Sequence, residues 1–437
     1  MGFLRKSVST FITQIFLMII GMASGIIAAR VLGPEVKGQA ALLTMIAQLL
    51  FMFCTMGLGS AFSFFIAKKM YPSRQILSLA FISTVTFGGI GIAIFYATWS
   101  WHVDIWSGIP PTLILYAALL SVTYIYSNYL TRIVVGYGRI YSMNVGDSTR
   151  SIIGFLGVVF FLVVWNFGLN GLMLSMWLAQ LAQIMVLLYI LKADLKPAVF
   201  WRDGLLKASF SYGIKAHALL LINFLNYRLD MLLLKYYRDS TAVGYYSLAV
   251  GMAELMWLVP NAAVAPLFSG VAASDEEDRS LVTLRTVRWS LIFLVILSLC
   301  GILAGRPFIT LLYGVDFLPA FKPFLWLLPG ICFFPLFKLL IIDLAARGYP
   351  GYGTISSVVA LLTNIGLNIL LIPRMGMAGA ALATSISYSL MSFLSLIFFI
   401  RVTNHSLRDI FWITTEERAV FFQLLFSIYD RLSFGGK

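Results

Sequence analysis

Charged side chains are scarce in this 437-residue chain. They make up 11% of the residues, whereas hydrophobic residues make up 60%, and the mean hydropathy is +0.92. A soluble domain carries roughly 25% charged residues, so this composition excludes an ordinary water-soluble protein and indicates that lipid is the solvent. At about 20 apolar residues per span, the length allows about twelve transmembrane helices and leaves no room for a sizeable soluble domain.

Cysteine is also rare. Cys54, Cys300 and Cys332 all lie in apolar stretches, where a thiol behaves as a small hydrophobic group. Their odd number and the lack of a CxxC pattern argue against a disulfide framework and against a metal site. We therefore expect neither a metal nor a cofactor.

Motifs for nucleotide hydrolysis and nucleic-acid binding are missing. The formal net charge is +13, but no basic run interleaves with aromatic residues on a polar helix, so we expect no nucleic-acid partner. No Gly-rich phosphate loop, zinc pattern or nucleophile elbow occurs. These absences argue against ATP hydrolysis by this chain.

Long apolar runs dominate what is present. The run that ends at Ala29 exceeds the length of a cleavable signal segment, so we interpret it as an uncleaved first span. Hydropathy over a window of about 19 residues predicts twelve spans. They are 8–29, 39–65, 76–98, 110–131, 151–167, 170–191, 208–234, 241–266, 286–304, 321–344, 354–373 and 379–400.

The distribution of Lys and Arg predicts the orientation of these spans. With the N-terminus in the cytoplasm, the cytoplasmic segments hold 21 Lys and Arg residues and the opposite segments hold 7. Cytoplasmic loops of membrane proteins carry the excess of Lys and Arg. The sequence therefore predicts that both termini are cytoplasmic.

The segment after the last span has a different pattern. Thr414–Glu417 has capping-box spacing and precedes the mostly apolar segment Ala419–Tyr429. Eleven residues are too few to cross a bilayer. The pattern predicts a tail helix, which either lies in the membrane interface or packs in the cytoplasm.

Two glycine motifs recur at nearly the same offset. Gly38 matches Gly244 at 206 residues, and Gly168 matches Gly376 at 208 residues. The repeat predicts two six-helix halves in the same orientation, related by an axis along the membrane normal. The predicted domains are an N-terminal lobe with its linker at 1–205, a C-terminal lobe at 206–402, and a tail at 403–437.

The seventh span carries a stripe of polar residues. At 100° per residue, one side of the helix holds Tyr212, Lys215, Asn223, Asn226 and Asp230. A stripe of this length is typical of a helix that lines a wet cavity, although helix–helix hydrogen bonding explains one or two of its members. His217 and Arg228 point the other way, and Arg228 is either a further cavity residue or a snorkelling side chain.

Other spans contain isolated polar residues. Glu254 in the eighth span either pairs with a lysine or, like Asp230, serves as a proton or Na⁺ coupling site. Lys215 and Lys338 offer positive charge to an anionic substrate such as a diphosphate. For Gln14 and Gln48 a structural hydrogen-bonding role is favoured over a functional one.

Four segments resemble polysaccharide transporters of the multidrug/oligosaccharidyl-lipid/polysaccharide (MOP) exporter superfamily, and O-antigen flippases of the Wzx type are the nearest description. They are Ala29–Gly38, Arg228–Asp230 followed by Val243–Tyr245, Leu312–Ala320, and Asn364–Ala381. The resemblance implies a V-shaped pair of six-helix lobes. It also implies flipping of a polyprenyl-diphosphate-linked oligosaccharide across the bacterial inner membrane, with membrane lipids and polysaccharide polymerase machinery as partners. Lys215 and Lys338 are candidates for the cavity cations of this family by residue type and depth.

Two alternatives remain open at this stage. A cation-coupled multidrug exporter of the same superfamily would need a cavity with acidic residues in its deep part. A membrane glycosyl-transferring enzyme would need carboxylates or histidines grouped in a sizeable outer loop. The longest outer loops offer only His102, Asp104 and Asp316, without the spacing of a catalytic site.

Overall fold

The computed structural model describes residues 2–101, 106, 108–196, 204–258, 260–264, 267 and 276–411, although it leaves the side chains of 2–12, 215–216 and 276–278 undescribed. Helices account for most of this part of the chain, and it contains no strand. The predicted all-α fold is confirmed.

The described helices follow the order of the predicted spans. They are α1 (Gly2–Thr55), α2 (Leu58–Lys68), α3 (Ser73–Ser100), α4 (Pro111–Gly136), α5 (Ile140–Val158, continued by a π-helical segment Val159–Val164), α6 (Gly168–Ile190), α7 (Leu205–Tyr237), α8 (Ser240–Leu255), α9 (Glu276–Leu312), α10 (Phe321–Ala346), α11 (Gly351–Met375), α12 (Met377–Thr403) and α13 (Leu407–Phe411).

Ten helical segments within the described residues are long and apolar enough to cross a membrane. The first of them, Thr13–Thr55, contains most of predicted spans one and two, because α1 continues through a kink at Gly33 and Pro34. The eighth predicted span begins with α8, whose 16 residues are fewer than a full span. Each of the twelve predicted spans therefore overlaps a described helix, and the protein is a multi-pass membrane protein.

Several boundaries differ from the prediction, for example that of α9, which extends beyond the predicted span 286–304 at both ends. Span two was expected to run unbroken to residue 65, but Met56 and Gly57 adopt positive φ and separate α1 from α2. Span five was expected at 151, but α5 begins at Ile140. The turns added at its start carry Asp147 and Arg150, and hydropathy averaging excludes such polar turns even where a protein interior accommodates them.

The described chain forms two compact units. The first comprises residues 1–254, 300–328 and 357–387, and its core contains an edge-on contact of Phe62 with Tyr129, with ring centroids 5.2 Å apart. The Tyr129 hydroxyl donates a hydrogen bond to the Thr55 carbonyl at 3.1 Å. This bond satisfies a carbonyl that the break after α1 leaves without a helical partner.

The second unit comprises residues 255–299, 329–356 and 388–437. Trp257 stacks on Phe334 with ring centroids 4.3 Å apart. Asp343 accepts hydrogen bonds from Thr283 and Arg347, so α9 and α10 are joined by a buried polar contact as well as by apolar packing. The predicted tail helix at 414–429 lies outside the described residues.

The duplicated glycines of the first motif meet each other. A Cβ added to Gly38 would collide with the backbone of Ser240 and Gly244, and a Cβ added to Gly244 would collide with the backbone of Pro34 and Gly38. Both matching pairs, 34 with 240 and 38 with 244, are 206 residues apart. Reciprocal contacts of this kind arise at a two-fold axis, as expected for two pseudo-symmetric halves.

The second glycine motif has the same backbone in both copies. Gly168 has a φ of 56° and Gly376 a φ of 59°, and each immediately precedes or begins a helix. Glycine adopts this left-handed conformation without the steric cost that a side chain brings. The repeat in sequence therefore corresponds to a repeated turn in structure.

Candidate substrate cavity

The first compact unit encloses a cavity of about 780 Å³. Helices α1, α5, α6, α7 and α8 form most of its wall, and α4 adds one tyrosine. Ligand cavities are typically about 300–1,000 Å³, so the volume suits a sizeable head group. Its polar and charged lining residues are Gln14, Ser24, Lys37, Thr44, Gln48, Tyr124, Arg150, Ser151, Ser175, Gln180, Arg228, Ser247 and Glu254.

Positive charge predominates in this wall. Lys37, Arg150 and Arg228 line the cavity, whereas Glu254 is the one acidic residue among the described residues that do so. Charged side chains within membrane spans usually face a cavity or a partner, because the hydrocarbon does not solvate them. We call this space the cationic cavity.

Arg228 and Glu254 form an ion pair across the wall from α7 to α8. Arginine Nη1 lies 2.8 Å from Oε1, and Nη2 lies 3.0 Å from Oε2, so the pair is bidentate. The side chains are 26% and 23% exposed. Since the only carboxylate of the described wall is engaged with Arg228, the other two cations, Lys37 and Arg150, supply the excess positive charge.

A polar cluster at one end of the cavity connects three helices. The Tyr124 side chain of α4 is hydrogen-bonded to Gln48 of α1 and Gln180 of α6. Gln180 is 3% exposed, and its Oε1 has no hydrogen-bond partner. The buried Nε of Arg150 also has none. Buried polar atoms normally have a partner, so these two atoms have unused hydrogen-bonding capacity beside the cavity.

The polar stripe of α7 does not lie on one cavity. Asn226 is fully buried and donates a hydrogen bond to the Ser357 carbonyl at 2.9 Å. Asp230 is 1% exposed and accepts hydrogen bonds from the Tyr246 hydroxyl, from Thr384 Oγ1 at 3.0 Å and from the Met231 amide at 2.8 Å. These two residues pack into the protein, and neither lines the cationic cavity.

The remaining predicted site residues lie elsewhere. Tyr212 is partly exposed and stacks on Phe64, with ring centroids 4.8 Å apart, while Asn223 has a buried Oδ1 without a hydrogen-bond partner. The Lys215 side chain lies outside the described residues, although its backbone belongs to α7. Lys338, in the second unit, donates a hydrogen bond to Asn261 and lies 5.9 Å from the ring centroid of Phe334.

The family of this chain follows from its match to a family model. Residues 27–322 match the family model of polysaccharide biosynthesis proteins. The chain belongs to this family. A search of curated proteins finds no match, so the family rests on the match of more than half the chain. The resemblance predicted from the four sequence segments is confirmed.

Several solved membrane transporters share the fold of this chain. An inward-facing multidrug resistance MATE transporter of the MOP superfamily matches with a TM-score of 0.72 and 14% identity, covering 89% of this chain and 94% of its own. The lipid II flippase MurJ, in an inward closed conformation, matches with a TM-score of 0.74 and 16% identity, covering 91% of this chain and 88% of its own.

A MOP superfamily transporter from Pyrococcus furiosus Vc1 matches with a TM-score of 0.66 and 14% identity, covering 92% of this chain and 95% of its own. At these identities the likeness shows the fold alone. The chain therefore combines membership of the polysaccharide biosynthesis family with a fold that it shares with these transporters and with MurJ.

Sequence reasoning missed two of the cavity's three cations. Lys37 was counted in an outer loop, but α1 continues through it. Arg150 was counted in a cytoplasmic loop, but it belongs to the early turns of α5. The one available signal was the cluster of Asn144, Asp147 and Arg150 at three-residue spacing, which places them near one face of a helix.

Proposed function

We propose that this polysaccharide biosynthesis protein flips a polyprenyl-diphosphate-linked oligosaccharide across the bacterial inner membrane by alternating access. The observation that carries the proposal is the cationic cavity, whose described wall holds three cations, Lys37, Arg150 and Arg228, and the single carboxylate of Glu254. The class of substrate is proposed from the family. The resemblance to polysaccharide transporters implies that the repeat units are carried on a lipid.

The charge of the cavity suits the diphosphate of such a lipid. A diphosphate carries negative charge that must leave water when the head group enters the membrane, and this desolvation is costly without a partner. Arginine and lysine recognise phosphate oxygens, and arginine does so with two parallel hydrogen bonds. Arg150 keeps a buried Nε free for such a contact.

The prenyl tail presents a different problem. It is apolar and needs no protein path, so it stays in lipid while the head group crosses. A polar cavity that opens sideways to the bilayer solves both problems at once. The lipid II flippase MurJ, which shares the fold, moves a substrate that is also a lipid.

Ion or proton coupling is proposed for Asp230 and Glu254. Asp230 lies next to two further oxygen atoms, the Tyr246 hydroxyl and Thr384 Oγ1. The Asn364 side-chain amide lies nearby, with its Nδ2 3.4 Å from Thr384 Oγ1. Carboxylate, hydroxyl and amide oxygens are the ligands of hard cations. Glu254 couples differently, because a proton on it would release Arg228 toward the substrate.

Lys215 and Lys338 remain candidates for cations along the path. We also propose that both termini face the cytoplasm, that polysaccharide polymerase machinery receives the flipped lipid, and that 403–437 forms the cytoplasmic or interfacial tail. The lobes at 1–205 and 206–402 are the proposed moving parts, and their axis passes near the contact of Gly38 with Gly244.

A cation-coupled multidrug exporter is the second candidate, favoured by the shared fold with MATE transporters. Cationic drugs would be repelled by Lys37 and Arg150, whereas an anionic lipid would be attracted. Drug efflux from intact cells distinguishes the two functions, because the proposed flippase predicts no change in drug resistance when the protein is removed.

The test of the proposal is depletion of the protein in its host, followed by determination of the leaflet in which the lipid-linked glycan accumulates. The proposal predicts accumulation in the inner leaflet. Complementation with Lys37→Gln should restore export poorly, whereas Lys322→Gln, which removes an exposed charge away from the cavity, should restore it fully. Normal outward delivery after depletion would refute the proposal.

A further inference from the structure

A second cavity of about 430 Å³ lies in the first compact unit. Its wall combines amides and hydroxyls with three aromatic side chains. The residues that line this cavity and are used below are Phe51, Asn128, Thr131, Asp147, Gln183 and Phe224. None of these six residues lines the cationic cavity. The second cavity is therefore a separate space with its own chemistry.

The two cavities share one wall. Gln48, Tyr124, Arg150 and Gln180 line both of them. On α6 the cationic cavity extends from Leu172 to the shared Gln180, and the second cavity continues toward the C-terminal end of the helix. The second cavity also lies toward the C-terminal end of α4 and of the part of α1 that follows the kink. It lies toward the N-terminal end of α5 and α7, which run in the opposite direction. The cavities are thus stacked along the helix axes.

The charge of the second cavity differs from that of its neighbour. Asp147 and Arg150 are its acidic and basic lining residues, so the described wall has no excess of positive charge. Asp147 accepts a hydrogen bond from Gln183 Nε2 at 2.8 Å, which fixes the carboxylate at the wall. A phosphate would meet this carboxylate as a like charge, whereas a neutral ligand would meet an acceptor.

Neutral ligands rich in hydroxyl groups match the rest of this wall. Asn128, Gln183 and Thr131 offer both donors and acceptors, as the two sides of a sugar hydroxyl require. Phe51 and Phe224 offer apolar surface for the C–H faces of a sugar ring. The Gln180 Oε1 on the shared wall has no partner and is buried, so a ligand hydroxyl would satisfy it.

We propose that the second cavity binds the uncharged sugar residues of the substrate while the cationic cavity holds its diphosphate. The assignment rests on the proposed flippase function and deepens it. Arg150 contacts the ligand at the junction, because it is the charged residue common to the two described walls. Recognition of the glycan is then separable from recognition of the anionic lipid.

The experiment compares two probes on the purified full-length protein by native mass spectrometry. The first probe is undecaprenyl diphosphate, which has no sugar. The second is the lipid-linked oligosaccharide that accumulates in cells depleted of the protein. The test variant is Asn128→Leu combined with Thr131→Val, which removes hydrogen-bonding groups at nearly constant volume. Gln183 is left intact because it holds Asp147. Thr44→Val is the matched control in the cationic cavity.

The proposal predicts that the double variant binds the oligosaccharide lipid about 10-fold more weakly, as expected for one to two lost hydrogen bonds, and binds undecaprenyl diphosphate within about twofold of the wild type. The Thr44→Val control should leave the ratio of the two affinities unchanged. An equal loss for both lipids, or no loss for either, would overturn the sugar assignment. Wild-type protein that binds both lipids no better than undecaprenol would instead refute the proposed function.

Discussion

The ion pair of Arg228 with Glu254 is expected to contribute measurably to stability and to set the charge of the cavity. Its two contacts of 2.8 and 3.0 Å have the geometry of a strong charge-assisted pair. Exposed pairs contribute about 0–1 kcal/mol, and loss of one partner of a buried pair costs about 3–5 kcal/mol. With each side chain about one quarter exposed, we expect a coupling energy of about 1–3 kcal/mol, intermediate between these limits.

The assay is a double-mutant cycle with Arg228→Gln, Glu254→Gln and the double variant. Unfolding by SDS, followed by tryptophan fluorescence, gives the change in free energy for each. The double variant should lose less stability than the two single variants together. If the losses add within about 0.5 kcal/mol, the two residues are energetically independent, and the pairing argument is wrong.

The same variants should change lipid binding in opposite directions. Glu254→Gln removes the one carboxylate of the described cavity wall and releases Arg228, so the affinity for undecaprenyl diphosphate should rise. Arg228→Gln leaves Glu254 as an unpaired negative charge, so the affinity should fall. Changes of the same sign would contradict the assignment of the cationic cavity to the diphosphate.

Three further predictions concern other parts of the protein. Gly244→Val should prevent folding, because the valine side chain would collide with the Pro34 carbonyl. Gly251→Val should be tolerated, because nothing lies within 4 Å of a Cβ added there. The yield of monodisperse protein tests both variants. Arg150→Gln should weaken the binding of both undecaprenyl diphosphate and the lipid-linked oligosaccharide by about 10-fold, as expected for the loss of one hydrogen bond to a charged group. Asp230→Asn should reduce the dependence of the flipping rate on Na⁺ or pH gradients, whereas the affinity for undecaprenyl diphosphate should stay within about twofold of the wild type.

The positions of the spans were predictable because membrane helices are long and uniformly apolar. The twelve predicted spans all overlap described helices, and the repeated glycines Gly38 and Gly244 lie in close contact. Glycine recurs at such a position because the backbones approach too closely for a side chain. Both signals, the apolar runs and the repeated glycines, are visible in a single sequence.

The cavity residues were harder to predict, because hydropathy treats polar turns as loops. That averaging moved Lys37 and Arg150 out of the membrane, although both line the cationic cavity. Helical periodicity assigned Arg228 to the side away from the polar stripe, but it does not tell which side faces the cavity. The pairing with Glu254 depends on how α7 packs on α8, and no sequence pattern specifies that packing.

Under the proposed function, the protein itself moves the lipid-linked oligosaccharide between leaflets. The most direct measurement uses vesicles that contain this lipid and purified protein, with membrane-impermeant periodate oxidising only the sugars exposed outside. The flippase account predicts that periodate reaches nearly all of the glycan with wild-type protein, and about half in protein-free vesicles and in those with the Lys37→Gln/Arg150→Gln variant. Equal oxidation in vesicles with and without wild-type protein would contradict the account.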